Sequence, residues 1–338
     1  MTAPLLEVDH LNVRFPTEDG SVHAVRDVSF TLNHGDVLGV VGESGCGKSV
    51  TAMALMGLLP RSARIEGSIK FEGDEIVGLK GSELVRFRGN KIGMIFQDPM
   101  TSLNPVYTVG WQITETIRAH NDMSKKAAKA RASALLQLVG IPEPARRLDN
   151  YPHEFSGGMR QRVMIAMAMA NDPQVLIADE PTTALDVTVQ AQILETLLEV
   201  KKELNAAILL ITHDLAVVAS MADRVQVMYA GSIVESGTVD DIYYRTRMPY
   251  TSGLLGAIPS LAGKGHKLNQ IKGSTPSLIK LKPGCPFSNR CPLVAERCLA
   301  EEPMLGPTDG EGHLAACHRW RDLVGKDGRL LFREETPV

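Results

Sequence analysis

The 338-residue chain is 44% hydrophobic and 22% charged, with a formal net charge of −3, which suits one large core plus a smaller appended unit. The slightly acidic balance offers no basic footprint for nucleic acid. No basic-then-apolar leader pattern opens the chain and no apolar run nears the ~18 residues that span a bilayer, so a soluble protein is expected.

Residues 1 to about 95 read as β-rich, with strands expected at 13–15, 28–32, 68–71 and 92–96. The apolar run Val37-Leu38-Gly39-Val40-Val41 reads as a buried strand and runs straight into Gly42-Glu43-Ser44-Gly45-Cys46-Gly47-Lys48-Ser49, followed by Val50. This is a complete phosphate-binding loop. Its glycines let successive backbone N–H groups surround phosphate oxygens, Lys48 reaches the β- and γ-phosphates, and the Ser49 hydroxyl joins a Mg²⁺ shell. A helix starting near Lys48 adds its positive dipole end. Cys46 is read as a small loop-filling residue.

A helical section follows. Val109, Ile113 and Ile117 share one helical face, and Ser124 caps a second helix whose apolar face is expected at Ala127, Ala130, Ala134 and Leu138 before a stop at Gly140. Strands resume with Val175-Leu176-Ile177-Ala178, which runs into Asp179-Glu180, and with Ile208-Leu209-Leu210-Ile211. Continuous apolar runs of this kind suit parallel strands covered on both faces. Asp179 is placed to bind Mg²⁺, and Glu180 to polarise an attacking water as general base. A hairpin is expected around Ala230-Gly231-Ser232. After about Arg245 the pattern weakens, and Gly, Pro and Lys become frequent from Gly263 to Gly284.

Cys285, Cys291, Cys298 and Cys317 crowd into one stretch with the spacing Cys-x5-Cys-x6-Cys-x18-Cys. Four thiolates ligate either a [4Fe–4S] cluster or a tetrahedral Zn²⁺, and under the zinc reading His313 or His318 can replace a thiolate. An ATP-using protein without an export signal belongs in a reducing compartment, where metal is favoured over disulfides.

Between the two halves of the core lies Phe155-Ser156-Gly157-Gly158-Met159-Arg160-Gln161-Arg162, with Ser156 as N-cap and two glycines exposing helix-terminal N–H groups. Taken with the phosphate loop and Asp179-Glu180, this resembles the signature of an ATP-binding cassette (ABC) ATPase. The resemblance implies an α/β ABC-type nucleotide-binding domain over residues 1–245. Such a domain has a RecA-like core, an antiparallel β section and a helical insert at about 98–168, and is followed here by a small metal-binding extension, residues 246–338. It also implies that Ser156, Gly157 and Gly158 complete the ATP site of an opposite subunit. In the same family pattern Gln97 senses Mg²⁺ and the attacking water. Ala184-Leu185-Asp186 crosses the dimer interface, His213 contacts the γ-phosphate, and Phe15 stacks on adenine. Met159 stands where the family usually has Gln.

Two further stretches, Phe96-Gln97-Asp98-Pro99-Met100-Thr101-Ser102-Leu103-Asn104-Pro105 and Tyr151-Pro152-His153-Glu154, resemble the ATPase subunits of bacterial dipeptide and oligopeptide importers, a branch shared with some nickel importers. Pro249-Tyr250-Thr251, Gly284-Cys285-Pro286-Phe287 and Arg290-Cys291-Pro292 resemble that branch's C-terminal extension. The resemblance implies a heterodimer with a second ATPase subunit, two transmembrane permease subunits, an extracytoplasmic substrate-binding protein, and a location on the cytoplasmic face of the membrane. It favours a [4Fe–4S] cluster over Zn²⁺ at the four cysteines, and the distance in sequence between these cysteines and the nucleotide loop points to a structural rather than a redox role for it. The alternatives are the same motor serving nickel or another small solute, and a soluble cassette acting on nucleic acid.

Overall fold

The computed structural model describes residues 3–183, 185–258, 271–326 and 331–332. Ala184 of the expected interface loop, and Gly263 at the start of the expected Gly/Pro/Lys-rich linker, lie outside the described residues.

A long antiparallel hairpin opens the fold, formed by β1 (Leu6–Thr17) and β2 (Gly20–Leu32). Both strands run well past the segments legible in sequence. Register shifts along the pair, with left-handed backbone at His10 (φ 50°) and Asp27 (φ 54°), break the period-two alternation by which a strand is recognised. Buried at every position, β3 (Val37–Val41) feeds through the phosphate loop into α1 (Lys48–Leu55). The chain then returns to the hairpin: β4 (Arg64–Phe71) pairs with β1, and β5 (Asp74–Glu75) pairs with β4. After α2 (Gly81–Phe87), β6 (Ile92–Ile95) enters the main sheet.

The insert comprises α3 (Pro99–Ser102), α4 (Val109–Arg118), α5 (Lys125–Leu138), α6 (Pro144–Arg147) and α7 (Gly157–Ala168). Val109, Ile113 and Ile117 are fully buried on α4, as their spacing requires. On α5 the expected face is wrong at its three alanines, while its fourth residue, Leu138, packs half-buried against the core. Ala127, Ala130 and Ala134 are exposed, while Ala128, Ala132, Leu135 and Leu136 are buried. Rotating the helix onto two leucines removes far more apolar area from water than three alanines could.

Then come β7 (Val175–Asp179), α8 (Val187–Leu204), β8 (Ala207–Thr212), α9 (Leu215–Met221), β9 (Arg224–Tyr229), β10 (Ser232–Thr238), α10 (Val239–Tyr244), α11 (Pro249–Gly256), α12 (Glu296–Ala300), β11 (Gly306–Pro307) and β12 (Leu314–Ala315). Among the described residues, the antiparallel sheet runs β2-β1-β4-β5, and the main sheet runs β11-β12-β10-β9-β3-β8-β7-β6. The strands from β9 through β3, β8 and β7 to β6 are parallel, so the loops that follow β3, β7 and β8 open at the same sheet edge.

The C-terminal segment adds its own two strands to that sheet, β12 pairing with β10. A buried polar network fastens it there. Glu235, with no exposure, accepts from the Thr246 hydroxyl (3.0 Å) and the Arg247 amide (2.5 Å), and lies 2.9 Å from His313 Nε2. The Arg247 guanidinium is bidentate to Asp309 at 2.7 and 2.9 Å. His313 is thereby committed to Glu235, which overturns its reading as a spare metal ligand.

Candidate nucleotide site

The phosphate loop is held by backbone contacts that only glycine allows. Gly47, the residue before α1, has φ 110°, and a Cβ there would sit 2.4 Å from the Ala24 carbonyl oxygen. A Cβ on Gly42 would meet the Met228 carbonyl oxygen at 2.2 Å. Gly45, in contrast, faces open space. Lys48 is buried, and its ammonium donates to the carbonyls of Gly42 (2.7 Å) and Glu43 (3.1 Å). Cys46 is buried inside the loop, where burial pushes its thiol up from the ordinary range, so it remains a neutral filler. Ser44 is exposed at the loop tip, and Val50 is half-buried on α1.

The residues contributed by the neighbouring strands gather around this loop. Ser49 Oγ donates to Asp179 Oδ1 at 3.0 Å. Asp179 is buried at the end of β7, and burial raises its carboxyl pKa, only partly offset by the Ser49 hydrogen bond. A buried carboxylate with a hydroxyl beside it is a donor set suited to a hard cation.

Glu180 follows in a left-handed backbone conformation, φ 48°, which a non-glycine residue adopts at a cost of order 1–3 kcal/mol. Its carboxylate takes three contacts: Gln97 Nε2 at 2.9 Å, Thr183 Oγ1 at 2.8 Å and His213 Nδ1 at 3.3 Å. Gln97 and His213 lie just beyond the ends of β6 and β8. Residues from four separate motifs thus share one sheet edge. Thr183 was not singled out in the sequence, because a threonine in a turn carries no spacing signal of its own.

Other expected residues stand apart. Ser156 caps α7, accepting from the Met159 amide at 3.4 Å, and both Ser156 and Gly157 are exposed. A Cβ on Gly157 would meet nothing, whereas one on Gly158 would strike Val189 at 2.6 Å. Asp186 is exposed and caps α8, accepting from the Val189 amide at 2.9 Å. Phe15 is half-buried in β1, opposite Val22.

The C-terminal segment packs directly behind the phosphate loop. The Glu43 amide donates to Tyr250 Oη at 2.8 Å, and the Glu43 carboxylate receives both arms of the Arg290 guanidinium at 2.6 and 2.8 Å. Tyr250, Tyr229 and Phe287 form a buried aromatic trio with ring centroids 4.5 to 5.4 Å apart. The cysteine segment thus reaches the phosphate loop through Arg290, which is next to Cys291 in the chain.

Cys285, Cys291, Cys298 and Cys317 line one small cavity together with Phe287 and Leu293. Burial pushes the Cys291 thiol up to about 11 and the Cys317 thiol up to about 12, so without a cation both carry protons. Among the described residues, no three His, Cys, Asp or Glu side chains are grouped to hold one metal ion. The metal-binding extension expected from the sequence is therefore not shown by this arrangement, in which the four thiols only line a common cavity. His318 lines the same cavity, with Nε2 3.0 Å from the Glu301 carbonyl oxygen.

The geometry matches known proteins. Residues 25–183 fit the family model described as ABC transporter, and 234–298 fit that of the oligopeptide/dipeptide transporter C-terminal region. The oligopeptide transport ATP-binding protein OppD of Mycobacterium tuberculosis is 53% identical over 99% of this chain, which spans only 55% of that protein's length. OppD of Salmonella typhimurium is 53% identical, with 93% of each chain covered. The dipeptide transport ATP-binding protein DppD of Bacillus subtilis is 54% identical over 85% of this chain and 87% of its own. Among solved structures, the dimeric ATP-binding cassette MJ0796 in a post-hydrolysis state with ADP and Pi superimposes with a TM-score of 0.62 at 25% identity. That match covers 69% of this chain and 98% of the other.

Proposed function

The chain belongs to the ABC transporter family, and from that premise we propose that it is the ATP-hydrolysing subunit of a peptide importer. The observation that carries the reading is the convergence of Ser49–Asp179 and of Gln97, Thr183 and His213 on Glu180 beside a glycine-built phosphate loop. Residues 42–50 bind the phosphates, and Phe15 stacks on the adenine. Ser49, Asp179 and Gln97 would hold Mg²⁺, which supplies charge neutralisation on the phosphate oxygens. Glu180 takes a proton from the water that attacks the γ-phosphorus. Gln97, Thr183 and His213 orient its carboxylate for that transfer, and His213 also meets the γ-phosphate.

Exposed Ser156 and Gly157, with half-buried Gly158, cap the ATP held by a second ATPase subunit, with Asp186 at the same interface. The dimeric state of the structural neighbour supports this reading. The outer face of the insert carries exposed Met100, Val106, Tyr107 and Trp111, the last two stacked at 4.0 Å, an apolar patch suited to a permease partner. None of the described helices is long and apolar enough to cross a membrane, so attachment at the cytoplasmic face runs through the permeases, with an extracytoplasmic binding protein delivering solute. The names of the relatives favour dipeptides or oligopeptides over nickel as cargo.

In the extension, residues 246–338, Cys285, Cys291, Cys298 and Cys317 would hold a [4Fe–4S] cluster, with Zn²⁺ as the alternative. Either would cross-link a segment with few large apolar residues of its own. Reconstituting the subunit with its permeases and binding protein tests the transport reading. ATP-dependent uptake of labelled peptide supports it, whereas uptake of Ni²⁺ without peptide uptake moves the chain to the other cargo class.

A further inference from the structure

Glu43 is held from three sides. Its amide donates to Tyr250, its carbonyl accepts from the Lys48 ammonium (3.1 Å) and the Cys46 amide (3.3 Å), and its carboxylate is clamped by Arg290. Tyr250 and Arg290 both come from the C-terminal segment, more than 200 positions away in the chain. Arg290 is only 6% exposed and Glu43 27%. The guanidinium also donates to the carbonyls of Lys272 (3.1 Å) and Ile271 (3.5 Å) and lies 3.4 Å from Tyr229 Oη. Its rings of contact are Tyr229 and Phe287, each with its centroid 5.9 Å from the guanidinium carbon.

A pair so nearly buried contributes little net stability, since desolvation offsets most of the attraction and an apolar pair of similar volume often does as well. What a two-pronged Arg–carboxylate contact does supply is orientation. Here the residue it orients is the second in the phosphate loop, whose carbonyl anchors the lysine that must meet phosphate. The peptide unit of Glu43 cannot turn without moving the Lys48 anchor.

We propose that Arg290 and Tyr250 are positioning residues of the nucleotide site, setting the phosphate loop through Glu43 so that ATP affinity depends on the packing of the C-terminal segment. This deepens the ATPase reading and rests on it. Arg290 occupies the short 3₁₀ turn Ser288–Arg290 between Cys285 and Cys291, and the Cys291 amide donates to Ser288. Anything that reorders those cysteines therefore shifts the clamp.

The test measures ATP affinity by equilibrium binding, and KM and kcat by steady-state hydrolysis, on the full chain. Arg290→Met and Glu43→Gln should each weaken ATP binding on the order of tenfold, with the change falling on KM rather than kcat. The double variant should be no weaker than the poorer single one, because both remove the same contact. Arg290→Lys should recover part of the loss. Tyr250→Phe removes one hydroxyl while keeping the aromatic packing, so it carries the test if Arg290→Met disturbs folding, with an expected loss of about threefold. Unchanged affinity in Arg290→Met and Tyr250→Phe, or fully additive losses in the double variant, overturns the proposal. Lys48→Ala separates the two levels. If it still binds ATP normally, the phosphate-loop reading fails, whereas abolished binding there beside normal binding in Arg290→Met sinks only the clamp.

Discussion

The phosphate loop and the cysteine segment lie against one another, yet they acquire their geometry in opposite ways. The loop is local: residues 42–49 are consecutive, and glycine backbone freedom plus the start of α1 shape most of it. The cysteine segment is assembled from outside. Its four thiols span 33 positions, and its packing comes from Tyr229, Tyr250 and the Glu235–His313 network. Chemistry written in a contiguous motif survives as geometry, whereas chemistry spread over a loop-rich segment depends on what that segment leans on.

The widest separation between the two regions should come from Glu180→Gln. Turnover is expected to fall on the order of a hundredfold or more while ATP still binds, leaving a nucleotide-loaded closed dimer visible by size-exclusion chromatography. Undiminished hydrolysis would remove Glu180 from its role as base. Next, Cys291→Ser should strip iron and acid-labile sulfide from anaerobically purified protein. About four of each per wild-type chain identifies the cluster, while one zinc without sulfide identifies the alternative.

A smaller effect probes how the segment is fastened. His313→Ala leaves Glu235 buried without its ring partner and should destabilise the fold by about 2–3 kcal/mol in urea unfolding, whereas a change under 0.5 kcal/mol would mean that the network does not anchor the extension. The smallest concerns the seam itself. His23, whose amide donates to Leu278 of the extension, is lowered to about 4 by burial and by Arg14 and Arg26. Between pH 6.5 and 4 the unfolded chain binds a proton that the folded one refuses, so stability falls as pH drops through that window. His23→Gln should flatten that slope, and an identical slope in the variant would assign the pH dependence elsewhere.

Much of the site was legible because its residues sit at strand ends or in glycine loops, where spacing has a direct spatial meaning. The loop, the strand carrying Asp179, and the strand before His213 belong here, and the parallel sheet brings them to one edge. The α5 face was misread because helical spacing alone admits two adjacent stripes, and only packing against α4 and α7 chose the one with Leu135 and Leu136. Gln97 and His213 were legible as positions, but their joint hold on Glu180 was not.

By itself, the sequence determined the phosphate loop, the paired carboxylates, the signature helix and the four soft donors, since each is a short-range pattern of residue types. Only the tertiary structure decided that His313 belongs to Glu235 and not to the cysteines, and that Arg290 reaches across to Glu43. Such contacts join residues with no shared periodicity, and they form because burying one charged or polar group obliges the fold to supply its partner from wherever the chain passes.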